Sequence, residues 1–333
     1  MANFVFRLLN VAFLGITFLT NCLGNAQQFP DIISFGDSLT DVGNVAGVTE
    51  PGVSPRINGY YLETHFSDNI IWIETLANYL GLPPRTPGRG SSTTLPPQPL
   101  GNDWAWGGSE AASGSVQPPG VTEPIPNLLS EIEQYLAVNT PNPYTLYAIW
   151  SGADNLLIGG KFGPKAARSA VQTVIEAITM LEQAGARNFL IFNMPKLGDT
   201  PSAQAGGRID EAAANIYSIS FNLDIRRSLK KLQKSCSFNG TIYFVDIFTE
   251  LVHVVNVVNA GGTYTPRFFT PGPPVAISNV TGEALDVFNS TGQFPTNYLF
   301  WDDVHPTTQG HQVVAGLVLR ALNSRHHGFK RHD

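Results

Sequence analysis

Two rhythms of apolar residues alternate along this chain. Short, mostly apolar runs cover residues 31–35, 145–150, 188–193 and 241–248. Runs of this length, bounded by Gly, Pro, Asn or Asp, read as strands buried on both faces. Between them the apolar residues recur at helical spacing. In 68–80 they are Ile70, Ile71, Ile73, Leu76, Ala77 and Leu80, with Gly81 and Pro83 as stop signals. Helices are also expected over 125–137, over 164–184 (Pro164 at its start, Gly185 beyond its end) and over 210–234, which ends in basic residues as the helix dipole favours. A closing helix is expected over 307–322. Residues 84–100 are rich in Pro, Gly, Ser and Thr and read as a surface loop, and about 250–299 reads as loop. Strand and helix thus alternate, which predicts an α/β fold with a parallel sheet and helices on both faces. Ligands in such sheets bind beyond the carboxyl ends of the strands. Gly36-Asp37-Ser38 and residues 151–155 both lie just past predicted strand ends.

The N-terminal segment has a different character. Arg7 precedes an apolar run over 8–19, broken only by Asn10, Gly15 and Thr17. Gly24-Asn25-Ala26 then offers small residues for cleavage, so 1–26 is expected to be a secretory signal peptide. The run is short for a membrane span of roughly 20 residues. An uncleaved anchor and lipidation at Cys22 are the alternatives. Residues 27–325 are expected to form one domain, followed by a short basic tail over 326–333.

Composition narrows the picture. Of 333 residues 43% are hydrophobic and 14% charged, enough apolar material for a sizeable core. The net charge of -6 leaves no basic surplus for phosphate neutralisation, so nucleic acid is not an expected partner. Only Cys22 and Cys236 are present. Removal of the leader would leave Cys236 without a disulfide partner, and a small buried hydrophobe is its expected role. Sequons at Asn239, Asn279 and Asn289 fit a secreted protein without establishing one.

Three constellations can carry chemistry. Ser38, on a tight turn after a strand, is either an exposed nucleophile or a helix-capping serine. Asp302 and His305, three positions apart and followed by Pro306, can set a carboxylate against one imidazole nitrogen, leaving the other to take a proton; a capping turn is the alternative. Gly107-Gly108 allows close backbone approach, and its N–H groups can face an anion, although a plain glycine turn has the same signature. The remaining histidines offer less. His311 falls within a helix, His65 and His253 lack an evident partner, and His326, His327 and His332 belong to the tail. None of the usual metal-ligand spacings appears, and no cofactor is expected.

Taken together, these blocks resemble the GDSL family of SGNH hydrolases over nearly the whole chain after the leader. Phe35-Gly36-Asp37-Ser38-Leu39-Thr40-Asp41-Val42-Gly43-Asn44 is close to the family's first block. Phe66-Ser67-Asp68 with Trp72 and Glu74 is similar to the segment that follows. Trp104-Ala105-Trp106-Gly107-Gly108 resembles the second block, Asn193-Met194-Pro195 with Gly198 and Pro201 a loop after a central strand, and residues 300–307 the last block. The resemblance implies a three-layer α/β/α, flavodoxin-like fold. It also implies Ser38 as nucleophile, His305 as general base, Asp302 as its orienting acid, and N–H groups of Ser38 and Gly108 as oxyanion donors.

The third block departs from the pattern. The family has Gly-x-Asn-Asp, with the Asn as a further oxyanion donor; this chain has Gly152-Ala153-Asp154-Asn155. An ionised Asp154 only accepts hydrogen bonds and would oppose an oxyanion. Asn155 reaching the hole through a small backbone change is the preferred account; a protonated Asp154 and a missing donor are the others. The expected function is a secreted hydrolase of carboxylic esters, acting on lipid or short acyl esters or on acetylated carbohydrate. Trp104, Trp106 and Tyr60-Tyr61 are candidates to stack on sugar or line an acyl pocket, with ordinary core packing as the equal alternative. An acyltransferase and a catalytically silent glycan-binding protein on the same fold are the rivals.

Overall fold

The structure, a computed structural model, describes residues 29–56, 64–88, 101–206, 210–265, 276–293 and 295–324. The expected leader with Cys22, the pair Tyr60-Tyr61, most of the loop 84–100 and the basic tail lie outside the described residues.

A parallel sheet forms the centre. Its strands are β1 (Ile32–Gly36), β4 (Leu146–Trp150), β5 (Asn188–Phe192) and β6 (Thr241–Val245), in that spatial order. Strands β2 (Ser115–Val116) and β3 (Ile125–Pro126) make a separate antiparallel pair. Alternate residues of each strand face opposite layers, the period-2 rule of extended chain. Phe35, Tyr147, Ile149, Phe189, Ile191 and Ile242 pack into one core with helices α2 (Leu128–Val138), α4 (Gly163–Gln183) and α6 (Glu211–Lys234). Ile32, Leu146, Ala148, Leu190, Phe192 and Tyr243 face the other way, onto α1 (Trp72–Leu80) and α9 (Thr308–Asn323). The fold is three-layered, α/β/α, as the alternation of strand and helix predicts.

Several boundaries differ from the sequence expectation, three of them for an evident local reason. Helix α1 starts at Trp72 rather than 68, because Glu74 reaches back to accept the Ile71 N–H at 2.9 Å and opens the helix there. Helix α2 starts after Pro126, since Ile125 and Pro126 pair with β2. Strand β6 stops at Val245 because Asp246 caps α7 (Ile247–Asn259), its carboxylate accepting the Thr249 N–H at 3.3 Å. The stretch expected to be loop therefore contains α7 and also α8 (Ala284–Thr291). Val252, Val254, Val255, Val257 and Val258 crowd α7, and β-branched residues disguise a helix.

Cys236 is exposed, contrary to the expected burial: it lies in the turn between α6 and β6, outside both cores. Among the described residues no helix is long and apolar enough to cross a membrane.

Candidate active site

Residues 102–106 run parallel beside β1, on the edge opposite β4. The Trp104 N–H donates to the Ser34 carbonyl at 2.8 Å and the Trp106 N–H to that of Gly36 at 2.9 Å. The chain leaves β1 on one side and later crosses to β4 on the other. A crevice opens past the strand ends where the connections diverge in this way. Ser38 sits there.

Only glycine fits at position 36. Its φ is +138°, and a side chain would collide with the Trp150 carbonyl. The backbone can then break out of the sheet into the turn that carries Ser38, which closes with the Thr40 N–H on the Asp37 carbonyl at 2.9 Å. From α2, the buried Glu131 accepts the Gly36 N–H at 2.9 Å. Asp41 fastens the turn to the Gly107-Gly108 segment: its carboxylate accepts the N–H groups of Gly43 (2.7 Å), Asn44 (2.6 Å), Val45 (3.0 Å) and Gly107 (2.8 Å). Asn44 donates to the carbonyls of Asp103 at 2.9 Å and Ala105 at 2.8 Å. Gly108 follows with φ +91°, and a side chain on it would strike Pro118.

The acid–base pair arrives from the other end of the chain. A tight turn before α9 lets the Asp302 carboxylate accept the backbone N–H groups of Val304 at 3.0 Å and His305 at 2.7 Å. The same carboxylate lies 2.8 and 2.9 Å from His305 Nδ1. His305 Nε2 lies 2.8 Å from Ser38 Oγ. This line of bonds places a proton on Nδ1 and leaves Nε2 as the acceptor for the serine proton. The Phe66 ring packs against the imidazole, with centroids 4.8 Å apart.

Burial and charge compete at these groups. Burial pushes the His305 pKa down, but Asp302, with help from Asp154 and Asp303, outweighs it and holds the imidazole above its ordinary value. Burial alone would raise Asp302; the charge of His305 and the hydrogen bonds from its ring and from two backbone N–H groups hold that carboxyl below its ordinary value. Asp37, buried beside Ser38, is pushed up to about 7 by burial, opposed by the Leu39 N–H and by His305. Asp154 is raised well above the usual range, by burial first and then by the charge of Asp37.

Ser38, His305, Asp302, Gly108 and Asp154 line one cavity of about 660 Å³. Most of its wall is apolar. One part comes from Val45, Val53, Pro118 and Val121, another from Leu251, Val254, Leu285, Leu299 and Val313.

The family whose sequence model is described as GDSL-like lipase/acylhydrolase matches residues 32–318, a span that holds every one of these side chains. This chain belongs to that family. Among its relatives is the phosphatidylcholine-sterol acyltransferase of Aeromonas hydrophila, 25% identical over 348 residues, covering 95% of this chain and 97% of that protein. A GDSL esterase/lipase of Arabidopsis thaliana is 23% identical over 351 residues, covering 93% and 92%. The solved aryl esterase of M. smegmatis superposes with a TM-score of 0.44 at 14% identity, covering 87% of this chain and 95% of that one.

Within the GDSL framework, three sequence expectations need correction. Asn155 does not reach the cavity: its Oδ1 accepts the Ala111 N–H at 2.8 Å and its Nδ2 donates to the Ala111 carbonyl at 3.3 Å. Both ends of the amide are thus occupied away from Ser38, and Asp154 stands on the cavity wall instead. Trp104 and Trp106 are fully buried in the cores and cannot stack on a ligand; the aromatic walls are Phe66, Trp150 and Phe300. His65 has a partner after all, with Nε2 3.1 Å from Glu74. The organising roles of Asp41, Asn44 and Glu131 were not expected. Glu131 had a readable signal: it shares the buried face of α2 with Leu128, Ile132 and Tyr135, where an acid is out of place.

Proposed function

We propose that this chain is a secreted serine hydrolase that cleaves carboxylic esters with an apolar acyl group, through an acyl-enzyme on Ser38. The observation that carries the reading is the unbroken line Ser38 Oγ–His305–Asp302, with gaps of 2.8 Å, opening on a mostly apolar cavity. Ser38 Oγ attacks the ester carbonyl while its proton passes to His305 Nε2. Asp302 keeps the ring oriented and balances the imidazolium as it forms. His305 then returns the proton to the departing alkoxide, and the acyl group stays on Ser38. A water deprotonated by His305 attacks the acyl-enzyme and releases the acid. The N–H groups of Ser38 and Gly108 are the backbone donors for the oxyanion in this reading.

The apolar wall favours an acyl chain over a bare acetyl group on a sugar, since neither buried tryptophan can offer a stacking platform. Transfer to an alcohol instead of water is the second reading. It draws on the size of the cavity, whose wall comes from two separate apolar clusters, and on the sterol acyltransferase among the relatives. Secretion rests on the apolar segment within 1–26, and the N-terminal sequence of the protein recovered from culture medium tests it.

The deciding experiment runs purified protein against p-nitrophenyl esters from acetyl to long chain, with and without an acceptor alcohol, beside Ser38→Ala. A fluorophosphonate probe should label the wild type and not the variant. Absence of labelling in folded protein would favour a silent binding protein.

A further inference from the structure

Helix α6 buries one face and leaves apolar side chains on the other. Ala214, Tyr217, Phe221, Ile225 and Leu229 pack toward the sheet. On the opposite face Ile216, Ile219 and Leu223 are 50%, 48% and 52% exposed. Steps of three and four residues put them in one stripe along the helix. The other large apolar side chains exposed among the described residues, Tyr79, Tyr144 and Phe162, are scattered singly, which is ordinary for a surface. Further steps of four, three and four along the same stripe reach Arg227, Lys230 and Lys234, all exposed, with Arg226 and Lys231 at its flanks. No acidic residue occurs between Asp224 and Asp246. Arg226 pairs with Asp246 at 2.5 Å, and Arg227 lies 3.7 Å from Asp224. Among the described residues no acid pairs with Lys230, Lys231 or Lys234. The helix dipole favours cations in the last turn, here Lys231 and Lys234, so it does not account for Arg226, Arg227 and Lys230.

We propose that this face of α6 docks on an anionic lipid surface, its three apolar side chains entering the headgroup boundary and its cations meeting lipid phosphates. The proposal goes beyond the hydrolase reading and does not depend on it. An apolar stripe joined to a basic one is the makeup of a helix that lies on a membrane. The chain as a whole carries a net charge of -6, so a negative surface attracts this face and repels the remainder, which fixes the orientation. A second copy of the chain fits less well. Three half-exposed side chains fall far short of the roughly 800 Å² that each partner of a stable interface buries, whereas a fluid bilayer closes around a small stripe. The apolar turns of α6 also brace the cavity. The Leu197 N–H donates to Ser218 Oγ at 3.2 Å, and the Tyr217 hydroxyl donates to the Gly152 carbonyl at 2.8 Å, just before α3 (Asp154–Leu157). Leu197 lines the cavity, as does Ser202 of the short α5 (Pro201–Gln204). Docking on this face brings that wall of the cavity close to the lipid.

The test measures flotation of the purified protein with vesicles, in a Ser38→Ala background so that no lipid is turned over. One vesicle is phosphatidylcholine alone, and the other is equal parts phosphatidylcholine and phosphatidylglycerol. Binding to the mixed vesicle is expected, falling steeply with added salt, with little binding to the neutral one. Lys230→Gln, Lys231→Gln and Lys234→Gln together should weaken it on the order of a hundredfold. Ile216→Gln, Ile219→Gln and Leu223→Gln together should weaken it at least about tenfold. All of these positions are exposed and glutamine is a good helix former, so both variants should fold; circular dichroism checks that they do. The proposal is overturned if the mixed vesicle is not bound, if the neutral vesicle is bound as well, or if either variant binds as its parent does. Light scattering covers the other occupant: a dimer that the Ile216→Gln, Ile219→Gln, Leu223→Gln variant splits would assign the face to a second copy and overturn the proposal too. Ester turnover is read separately on protein that keeps Ser38, so failure of the hydrolase reading and failure of lipid docking are distinguishable.

Discussion

Ser67 donates its hydroxyl to the carbonyl of Pro306, 3.1 Å away and 239 positions further along the chain. Next to it, the Asp68 carboxylate accepts the Thr308 N–H at 2.7 Å, at the first turn of α9. Phe66, Ser67 and Asp68 together hold the turn that presents His305. Asp68→Ala should cost about 1 kcal/mol, as the loss of a helix-terminal acceptor usually does. It should also lower kcat on the order of tenfold with KM unchanged, since the imidazole loses part of its mooring. Asp68→Asn keeps an acceptor oxygen and should restore both. Urea unfolding beside steady-state kinetics reads the two effects separately; unaltered kcat in Asp68→Ala would show that the mooring is redundant.

Asp302 both orients His305 and raises its pKa. In the proposed mechanism His305 must be neutral to take the serine proton, so activity should appear only as pH rises through that raised value. Asp302→Asn removes the main cause of the rise. The acid limb of the kcat/KM profile should move to lower pH, toward the ordinary histidine value. At the plateau kcat should fall by about 10³–10⁴, because the imidazole loses the partner that fixes its tautomer. A large rate loss with an unmoved acid limb would mean that another group sets the histidine pKa.

The layers of the fold were legible in the sequence because their signal is periodic. Phe35, Ile149 and Ile191 sit where an apolar run says they must, inside a sheet covered on both faces. Ser38, Asp302, His305 and Gly108 were legible from their blocks, and the structure brings all four to one cavity. What was not legible depended on side-chain direction. Asp154 and Asn155 are adjacent on one short helix, and spacing does not say which faces Ser38; the hydrogen bonds of Asn155 to Ala111 decide it. Trp104 and Trp106 stood equally as binding or core aromatics, because nothing in a sequence separates a wall from a core. Helix α7 was hidden by its valines.

Gly36 is expected to be the least replaceable position near the site. Its φ of +138° is closed to other residues, and a methyl group would meet the Trp150 backbone, which cannot move without breaking the β1–β4 pairing. Gly36→Ala should destabilise by more than about 3 kcal/mol or prevent folding. Gly81, also at positive φ but with open space around it, is the control and should lose only about 1 kcal/mol as alanine. Thermal melts of the two variants make the comparison; equal losses would place the cost in the backbone angle and not in the collision.

Asp37 should make stability fall as pH rises. Its folded pKa of about 7 lies above the ordinary carboxylate value of 3.8, so the folded state holds a proton that the unfolded chain releases. The stabilisation is complete below the unfolded value and is lost as pH rises through about 7. Asp37→Asn carries no such proton and keeps an oxygen for the Leu39 N–H. The variant's stability relative to wild type should therefore rise from mildly acidic pH to slightly above neutral and level off beyond it. Urea midpoints across that range read the difference, and a flat difference would show that Asp37 is ionised throughout.

The apolar wall contributed by α7 and its neighbours should set acyl-chain preference. Leu251 and Val254 lie one turn apart on α7 and face the cavity together with Leu299 and Val313. A chain that extends into this part gains about 0.8 kcal/mol for each methylene it buries. Two or three methylenes are then worth on the order of tenfold to a hundredfold in kcat/KM. Leu251→Trp fills the space without touching Ser38, His305 or Asp302, and Leu251 is only half-buried, so the fold should tolerate it. Activity on long-chain p-nitrophenyl esters should fall at least tenfold while the acetyl ester is turned over as before. The filled cavity then acts on chain length alone. Loss on every ester alike would place Leu251 in the support of the catalytic turn, and no loss on any would mean that the acyl chain lies along Val45, Val53 and Val121 instead.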